Sequence, residues 1–372
     1  MREFRIAVFP GDGIGREVMA PCLTLLDIAV ARSGGFRLAF DQYEAGAELY
    51  RRTGTALPDS AMRAAESADA ILLGAMGLPE VRYPDGTEVQ PHLDFRERFD
   101  LYAGVRPFRL LNGAPTPLAD PRAKNIDCVL VRESTEGLFA SRTMTRREGN
   151  EAVFDTMRIT RRTSERLFDF AFRLARSRRK KGRPGRVTCV DKANVIPSLA
   201  FFRTIFLECA SRHPDVAADC AYVDAVGLKM VRAPWEFDVL VTENMFGDIL
   251  SDVGAALIGG MGMAPSADLG DKHGVFQPCH GTAPDIAGRG VANPTAMILS
   301  AAMMLDWLGE RHDAPACSSA GAALTQAVES AFGDGDLLSL EHGGASGTAQ
   351  IAARVQAHLE RLPVGLGASG AR

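Results

Sequence analysis

A mainly apolar run, Phe4 to Phe9 with Arg5 inside it, leads through Pro10-Gly-Asp-Gly-Ile-Gly15 into a helical stretch from about Arg16 to Ala31. It reads as a buried strand, a tight glycine turn and a helix. The pattern continues with a strand near Phe36 to Tyr43, a helix near Pro58 to Ala65 and the apolar run Ala70 to Gly74. Alternation of this kind predicts an α/β architecture. The glycines at 11, 13 and 15 do not make the G-x-G-x-x-G of a dinucleotide fold, because Arg16 stands where the third glycine belongs. Two readings of the turn stay open: an anion site beneath a helix N-terminus, or an ordinary βα turn.

From Gly77 to Gln90 the chain has no period, and loops of that length inside a compact domain are usually functional. Arginines follow. Arg96 and Arg98 fall in a helical stretch ending at Val105-Arg106-Pro107, and Arg132 closes the strand Cys128 to Val131. Arginine is ordinarily a surface residue, but its fork matches a carboxylate where it ends a buried segment. Further on, Arg158 to Ala175 reads as an amphipathic helix with its lead-in, and Arg178 to Arg186 as a solvated basic turn. The strand from Val187 delivers Lys192 and Asn194 at its C-terminal end, the usual place for chemistry in α/β folds, and Ala221 to Asp224 ends another strand on an acid.

Asn244-Met-Phe-Gly-Asp248-Ile-Leu-Ser-Asp252 places two carboxylates four residues apart in a helical stretch. Such positions share a face, with Cβ atoms about 6 Å apart. Acids that close repel unless a cation or proton lies between them, and carboxylate oxygens suit Mg²⁺ or Mn²⁺. The pair alone supports a metal site and a solvated helix face about equally. Gly259-Gly-Met-Gly262 and Pro265 mark a crossing back, His280-Gly281-Thr-Ala283-Pro-Asp285 and Asn293-Pro294 follow, and an apolar helix from Thr295 to Trp307 and a glycine-rich tail close the chain. On its own, His280 reads as structural before catalytic.

With 372 residues and 46% hydrophobic side chains, the chain can bury a large core and suggests about two domains. A net charge of −4 with mixed signs gives no footprint for nucleic acid or an anionic membrane. Seven scattered cysteines support neither a disulfide framework nor a zinc knuckle, and fit reduced thiols in a cytoplasm. No apolar run reaches the roughly 18 residues of a membrane span, and no targeting segment is read at the N-terminus.

Six ordered blocks together resemble the β-decarboxylating dehydrogenases that act on 3-isopropylmalate, isocitrate, homoisocitrate, tartrate and D-malate. They are Gly11 to Gly15, Asp100 to Pro107, Val131-Arg132-Glu-Ser-Thr-Glu-Gly137, Asp191-Lys192-Ala-Asn194, Asn244 to Asp252, and His280-Gly-Thr-Ala-Pro-Asp285-Ile-Ala-Gly288. The resemblance implies two α/β domains, the first built from both chain ends (1–101 and 259–372) and the second from the middle (102–258). It implies a homodimer or larger assembly, with Lys192 and Asp224 lent to the neighbouring subunit's site. Asp248 and Asp252, with the partner's Asp224, would hold Mg²⁺ or Mn²⁺. Arg96, Arg106 and Arg132 would grip substrate carboxylates, joined by Leu93 and Asn194, with Lys192 and Asp224 as acid and base. His280, Gly281, Ala283, Asp285 and Asn293 would bind NAD, a carboxylate at 285 repelling the 2′-phosphate of NADP.

Pro91-His92-Leu93-Asp94-Phe95 offers no extra arginine for a third carboxylate, so a dicarboxylate such as 3-isopropylmalate is expected. D-malate or tartrate is the alternative, and a non-catalytic or regulatory paralogue the reading from another class. One departure stands out. Phe139 occupies the place of the family's tyrosine acid, leaving Ser134, Ser141, Tyr83 or water to protonate the product.

Overall fold

The computed structural model describes residues 1–139 and 144–363, so Ser141 lies outside the described residues. Its strands are β1 (Arg2–Gly11), β2 (Phe36–Gln42), β3 (Ala70–Ala75), β4 (Ala103–Arg109), β5 (Asp127–Glu133), β6 (Arg146–Glu148), β7 (Ala152–Phe154), β8 (Arg186–Asp191), β9 (Ala217–Tyr222), β10 (Val239–Thr242), β11 (Pro265–Leu269) and β12 (Gly274–Pro278). The helices are α1 (Ile14–Ser33), α2 (Ala47–Thr53), α3 (Asp59–Ser67), α4 (His92–Arg98), α5 (Arg161–Lys180), α6 (Pro197–Arg212), α7 (Val223–Arg232), α8 (Asn244–Leu257), α9 (Thr295–His312), α10 (Pro315–Gly333) and α11 (Thr348–Arg361). The α/β class expected from the alternation is what forms.

Ten strands make one sheet in the order β2-β1-β3-β12-β11-β4-β5-β10-β8-β9, and β6 and β7 form a separate hairpin. Pairing is parallel except around β11, which runs antiparallel to β12 and β4, and between β4 and β5. One half of the sheet therefore comes from residues 2–75 and 265–278, and the other from 103–242. Helices α9, α10, α11 and α1 pack together, with α9 laid on β11 and β12. Beyond them, α5 and α6 cover β8 and β10 around Phe168, Phe172, Phe202 and Phe206, all fully buried.

The glycine turn proves to be an ordinary one. Gly13 has φ +53°, and a Cβ there would lie 2.1 Å from the carbonyl oxygen of Thr282, which instead accepts a hydrogen bond from the Ile14 amide at 2.9 Å. The close approach is made by the protein's own backbone, and no room is left beneath the helix for an anion.

Several expectations are corrected. Val105-Arg106-Pro107 does not end a helix: α4 stops at Arg98, and all three residues lie in β4. Pro107 is tolerated because the β11 pairing stops at Val105, so no ladder on that side needs its missing N–H. The basic run after α5 is not simply a solvated turn. Arg178, still inside the helix, donates to Asp238 at 2.6 Å and to Asp127 at 2.9 Å, with its side chain 13% exposed. Helices α2, α10 and α11 and strands β11 and β12 were not read from the sequence. The strands and α2 are short and α10 is rich in alanine, so they carry little period, whereas α11 buries Ile351, Val355 and Leu359 at helical spacing behind the glycine-rich stretch that masks its start.

Candidate functional site

A cleft of about 1070 Å³ is lined from the end of β3, the loop that follows it, α4, β4, β5, α8 and the segment after β12. Leu93, Arg96, Arg106, Arg132, Phe139, Asp248, Asp252, His280, Gly281 and Ala283 all line it. Lys192, Asn194, Asp224, Asp285 and Asn293 are not among its lining residues. Arg98, next to Arg96 in sequence, turns outward to Glu66 at 3.0 Å.

Three buried arginines converge here from three elements: Arg96 in the last turn of α4, Arg106 in β4 and Arg132 in β5. Arg132 donates from Nε and Nη2 to Asn244 Oδ1 at 3.0 and 2.8 Å, and pairs through Nη1 with Asp248. Gly247 makes this approach possible, since a Cβ there would sit 2.5 Å from Arg132 Cγ. Burial, then the neighbouring Arg96 charge, lowers the Arg132 pKa to about 10, against the pull of Asp248.

A residue that the sequence reading missed sits behind them. Asp268 on β11 is 1% exposed and ion-paired to Arg96 at 3.1 Å and Arg106 at 3.2 Å. Burial opposes its ionisation, but Arg96, Arg106 and Arg132 overcome that and hold it at about 2. An acid inside the short, buried strand Pro265-Ser-Ala-Asp-Leu269 was the available signal.

Asp248 and Asp252 lie one turn apart on α8, both facing the cleft. Burial, then the like charge of Asp248, raises the Asp252 pKa. Asp252 has no hydrogen-bond or ion-pair partner among the described residues. Two hard oxygen donors repelling one another at a cleft wall fit a divalent cation, which would relieve that repulsion. Across the cleft, His280 donates from Nδ1 to the Gly281 carbonyl oxygen at 2.9 Å, and burial lowers its pKa. The ring is then neutral with Nε2 an acceptor, and Nε2 is buried with no partner among the described residues. An orphaned acceptor at the lip fits a bound group carrying hydroxyl or amide donors, as a dinucleotide does. Ala283, at φ +37°, turns the chain beside it.

The remaining predicted residues lie elsewhere. Lys192 donates to Asp224 at 2.6 Å, which lowers the Asp224 pKa, and Asn194 is exposed nearby. Asp285 is exposed. Asn293 is buried, donating to Glu341 at 3.0 Å and accepting from the Thr295 amide at 3.1 Å. Phe139 is 38% exposed, with the Arg132 guanidinium carbon 5.7 Å from its ring centre. Of the hydroxyls named as replacements, Ser134 lines the cleft, while Tyr83 packs edge-on against Tyr50 outside it. The scattered cysteines do converge once. Cys189 and Cys220 are paired across β8 and β9 beside Asp191, but that carboxylate already receives Arg203 at 2.8 Å through both oxygens.

Comparison with known proteins agrees with this geometry. A family profile described as Isocitrate/isopropylmalate dehydrogenase matches residues 5–355. The 3-isopropylmalate/3-methylmalate dehydrogenase of Methanocaldococcus jannaschii is 43% identical over 313 residues, covering 82% of this chain and 86% of that protein. The homoisocitrate dehydrogenase of the same organism is 41% identical over 314 residues, with coverage of 82% and 86%. The crystal structure of isocitrate dehydrogenase from Methylococcus capsulatus superposes with a TM-score of 0.84 at 34% identity, over 96% of this chain and 100% of that one. With three buried arginines facing an acidic helix in a fold these proteins share, the chain belongs to the isocitrate/isopropylmalate dehydrogenase family, the β-decarboxylating dehydrogenases.

Proposed function

We propose that the protein catalyses the NAD-dependent oxidative decarboxylation of a (2R)-2-hydroxydicarboxylate bearing an alkyl group at C3, 3-isopropylmalate or a close analogue, with Mg²⁺ or Mn²⁺. The observation that carries this reading is the meeting of Arg96, Arg106 and Arg132 with Asp248 and Asp252 in one cleft. Arginine forks hold carboxylates in fixed orientation, and the α8 acids hold the cation. When bound, NAD would supply a hydride acceptor for C2, and a cation held by Asp248 and Asp252 would supply the positive charge that acidifies the C2 hydroxyl and offsets the charge left on loss of CO₂. Leu93 presents an apolar surface suited to the C3 alkyl group. D-malate and tartrate remain the alternative substrates. The absence of a hydroxyl at Phe139 is the one observation that favours a non-catalytic paralogue.

A panel of 2-hydroxydiacids assayed for NADH and NADPH formation tests the reading. The highest kcat/KM is expected with 3-isopropylmalate and NAD. Preference for NADP would overturn the role given to Asp285, and no turnover with any member would overturn the enzyme reading.

We also assign the middle segment, 102–258, as a substrate and dimerisation domain and 1–101 with 259–372 as the cofactor domain. The Lys192–Asp224 pair belongs, in this reading, to the neighbouring subunit's site, as proton acceptor and third metal ligand. Two facts support it: the pair lies outside this chain's own cleft, and Leu228, Val231 and Ile249 on α7 and α8 are 61%, 55% and 57% exposed. Apolar side chains so exposed on adjoining helices suit a subunit interface. Mixing inactive Lys192→Ala and Asp252→Asn proteins should restore activity after subunit exchange, because some sites regain both residues. No recovery despite verified exchange would exclude sharing.

A further inference from the structure

From β11, the strand beside β4 inside the sheet, Asp268 reaches two of the three cleft arginines, Arg96 on α4 and Arg106 on β4. Its Oδ2 accepts from Arg96 Nε at 3.1 Å and Gln277 Nε2 at 2.9 Å and is ion-paired with Arg96 Nη2 at 3.1 Å, while Oδ1 accepts from Arg106 Nη2 at 3.2 Å. The Nε and Nη2 edge is one of the sides on which a guanidinium takes a carboxylate by two parallel bonds. In Arg96 that edge is spent on Asp268, and in Arg132 it is spent on Asn244. The remaining Nη1 of Arg132 pairs in turn with Asp248, which leaves Arg96 Nη1 among the atoms that an incoming carboxylate can take. The charge is trimmed as well: Asp268 offsets one guanidinium charge from behind the cluster, while Asp248 offsets that of Arg132 at the cleft wall.

We propose that Asp268 is a specificity-determining residue, a built-in counter-ion that fits the arginine cluster to a dicarboxylate and disfavours a tricarboxylate. The inference rests on the reading that the cleft binds hydroxy-acid carboxylates. A third carboxylate would enter a buried site whose positive charge Asp268 has already reduced by one, and it would meet Asp268 across the same two arginines. The acids of α8 face both substrate classes alike and so do not discriminate between them. A purely structural role for Asp268 would alter both classes equally.

The test compares kcat/KM for 3-isopropylmalate with that for homoisocitrate and isocitrate in the wild type and Asp268→Asn. The ratio of tricarboxylate to dicarboxylate should rise roughly ten- to a hundredfold, the range expected for removing one charge at second-neighbour distance in a partly buried site. Removing a buried partner can unfold a chain. Asp268→Ser therefore serves as a second variant: it removes the charge while keeping a small polar side chain beside Gln277, and should move the ratio in the same direction. Equal change for both classes in the folded variants, or a falling ratio, overturns the inference. If the wild type oxidises no hydroxy acid, the reading beneath the inference fails separately. Calorimetric binding of malonate against tricarballylate then still decides the charge question, a rise in relative tricarballylate affinity in either variant supporting it and an unchanged ratio overturning it.

Discussion

Asp252→Asn should cut turnover on the order of a hundredfold or more and shift the Mg²⁺ or Mn²⁺ titration to higher concentration, because one of two charged oxygen donors on α8 is lost. The two acids are not equivalent. Asp248 already answers to Arg132, whereas Asp252 has no cation partner among the described residues and is pushed up by burial and by Asp248. Amide replacement at 252 therefore removes metal affinity without freeing a buried arginine, while Asp248→Asn would also release Arg132 to take a new partner. The two variants should separate: Asp252→Asn raises the metal requirement with a modest change in substrate KM, and Asp248→Asn disturbs both. Steady-state rates over a metal titration, with chelator-treated protein as baseline, make the measurement. An unchanged titration in Asp252→Asn, or full turnover after chelation, would sink the assignment.

Much of this site was legible before any coordinates. Asp248 and Asp252 were paired by helical spacing alone, and α8 does bring both to one wall. Arg132 was placed at a strand end, where β5 does carry it into the cleft. Residues joined by local periodicity are readable because 3.6-residue and two-residue repeats are properties of the backbone. What could not be read depends on long-range pairing. Asp268 meets Arg96 across 172 positions of sequence, and only the antiparallel insertion of β11 beside β4 brings them together. Arg178 looked solvated because its partners, Asp127 and Asp238, lie 51 and 60 positions away. The glycine turn was ambiguous for a related reason: whether an anion or a carbonyl fills the space beneath α1 is decided by Thr282, from the other end of the chain. Family resemblance, carried by six blocks, supplied the roles of Arg106 and His280, which local pattern left at the end of a helical stretch and as a structural histidine.

Phe139→Tyr should raise the rate of ketone product formation, by up to the 10²–10⁴-fold that a positioned general acid contributes. The ring lines the cleft close to the Arg132 guanidinium, so a hydroxyl added at its far end would enter a space already bordered by substrate-binding groups. Hydride transfer and loss of CO₂ need no donor there. Protonation of the resulting enolate at C3 does. Among the replacements considered, Tyr83 lies outside the cleft, and its hydroxyl is held in the protonated range by burial, then Asp94, Tyr50 and Asp85. The Ser134 hydroxyl lines the cleft but is directed to the Arg132 carbonyl oxygen at 3.4 Å. Ser141 lies outside the described residues, and water is the donor that a cleft of this volume admits. The wild type should then release CO₂ and NADH in equal yield but form ketone slowly, with the deficit on the proton-transfer step and an enlarged solvent isotope effect. In Phe139→Tyr that isotope effect should shrink as the rate rises. Rates and CO₂ to NADH stoichiometry unchanged by the substitution, or turnover abolished by it, would mean that Phe139 does not face C3 and that protonation is handled from another wall of the cleft.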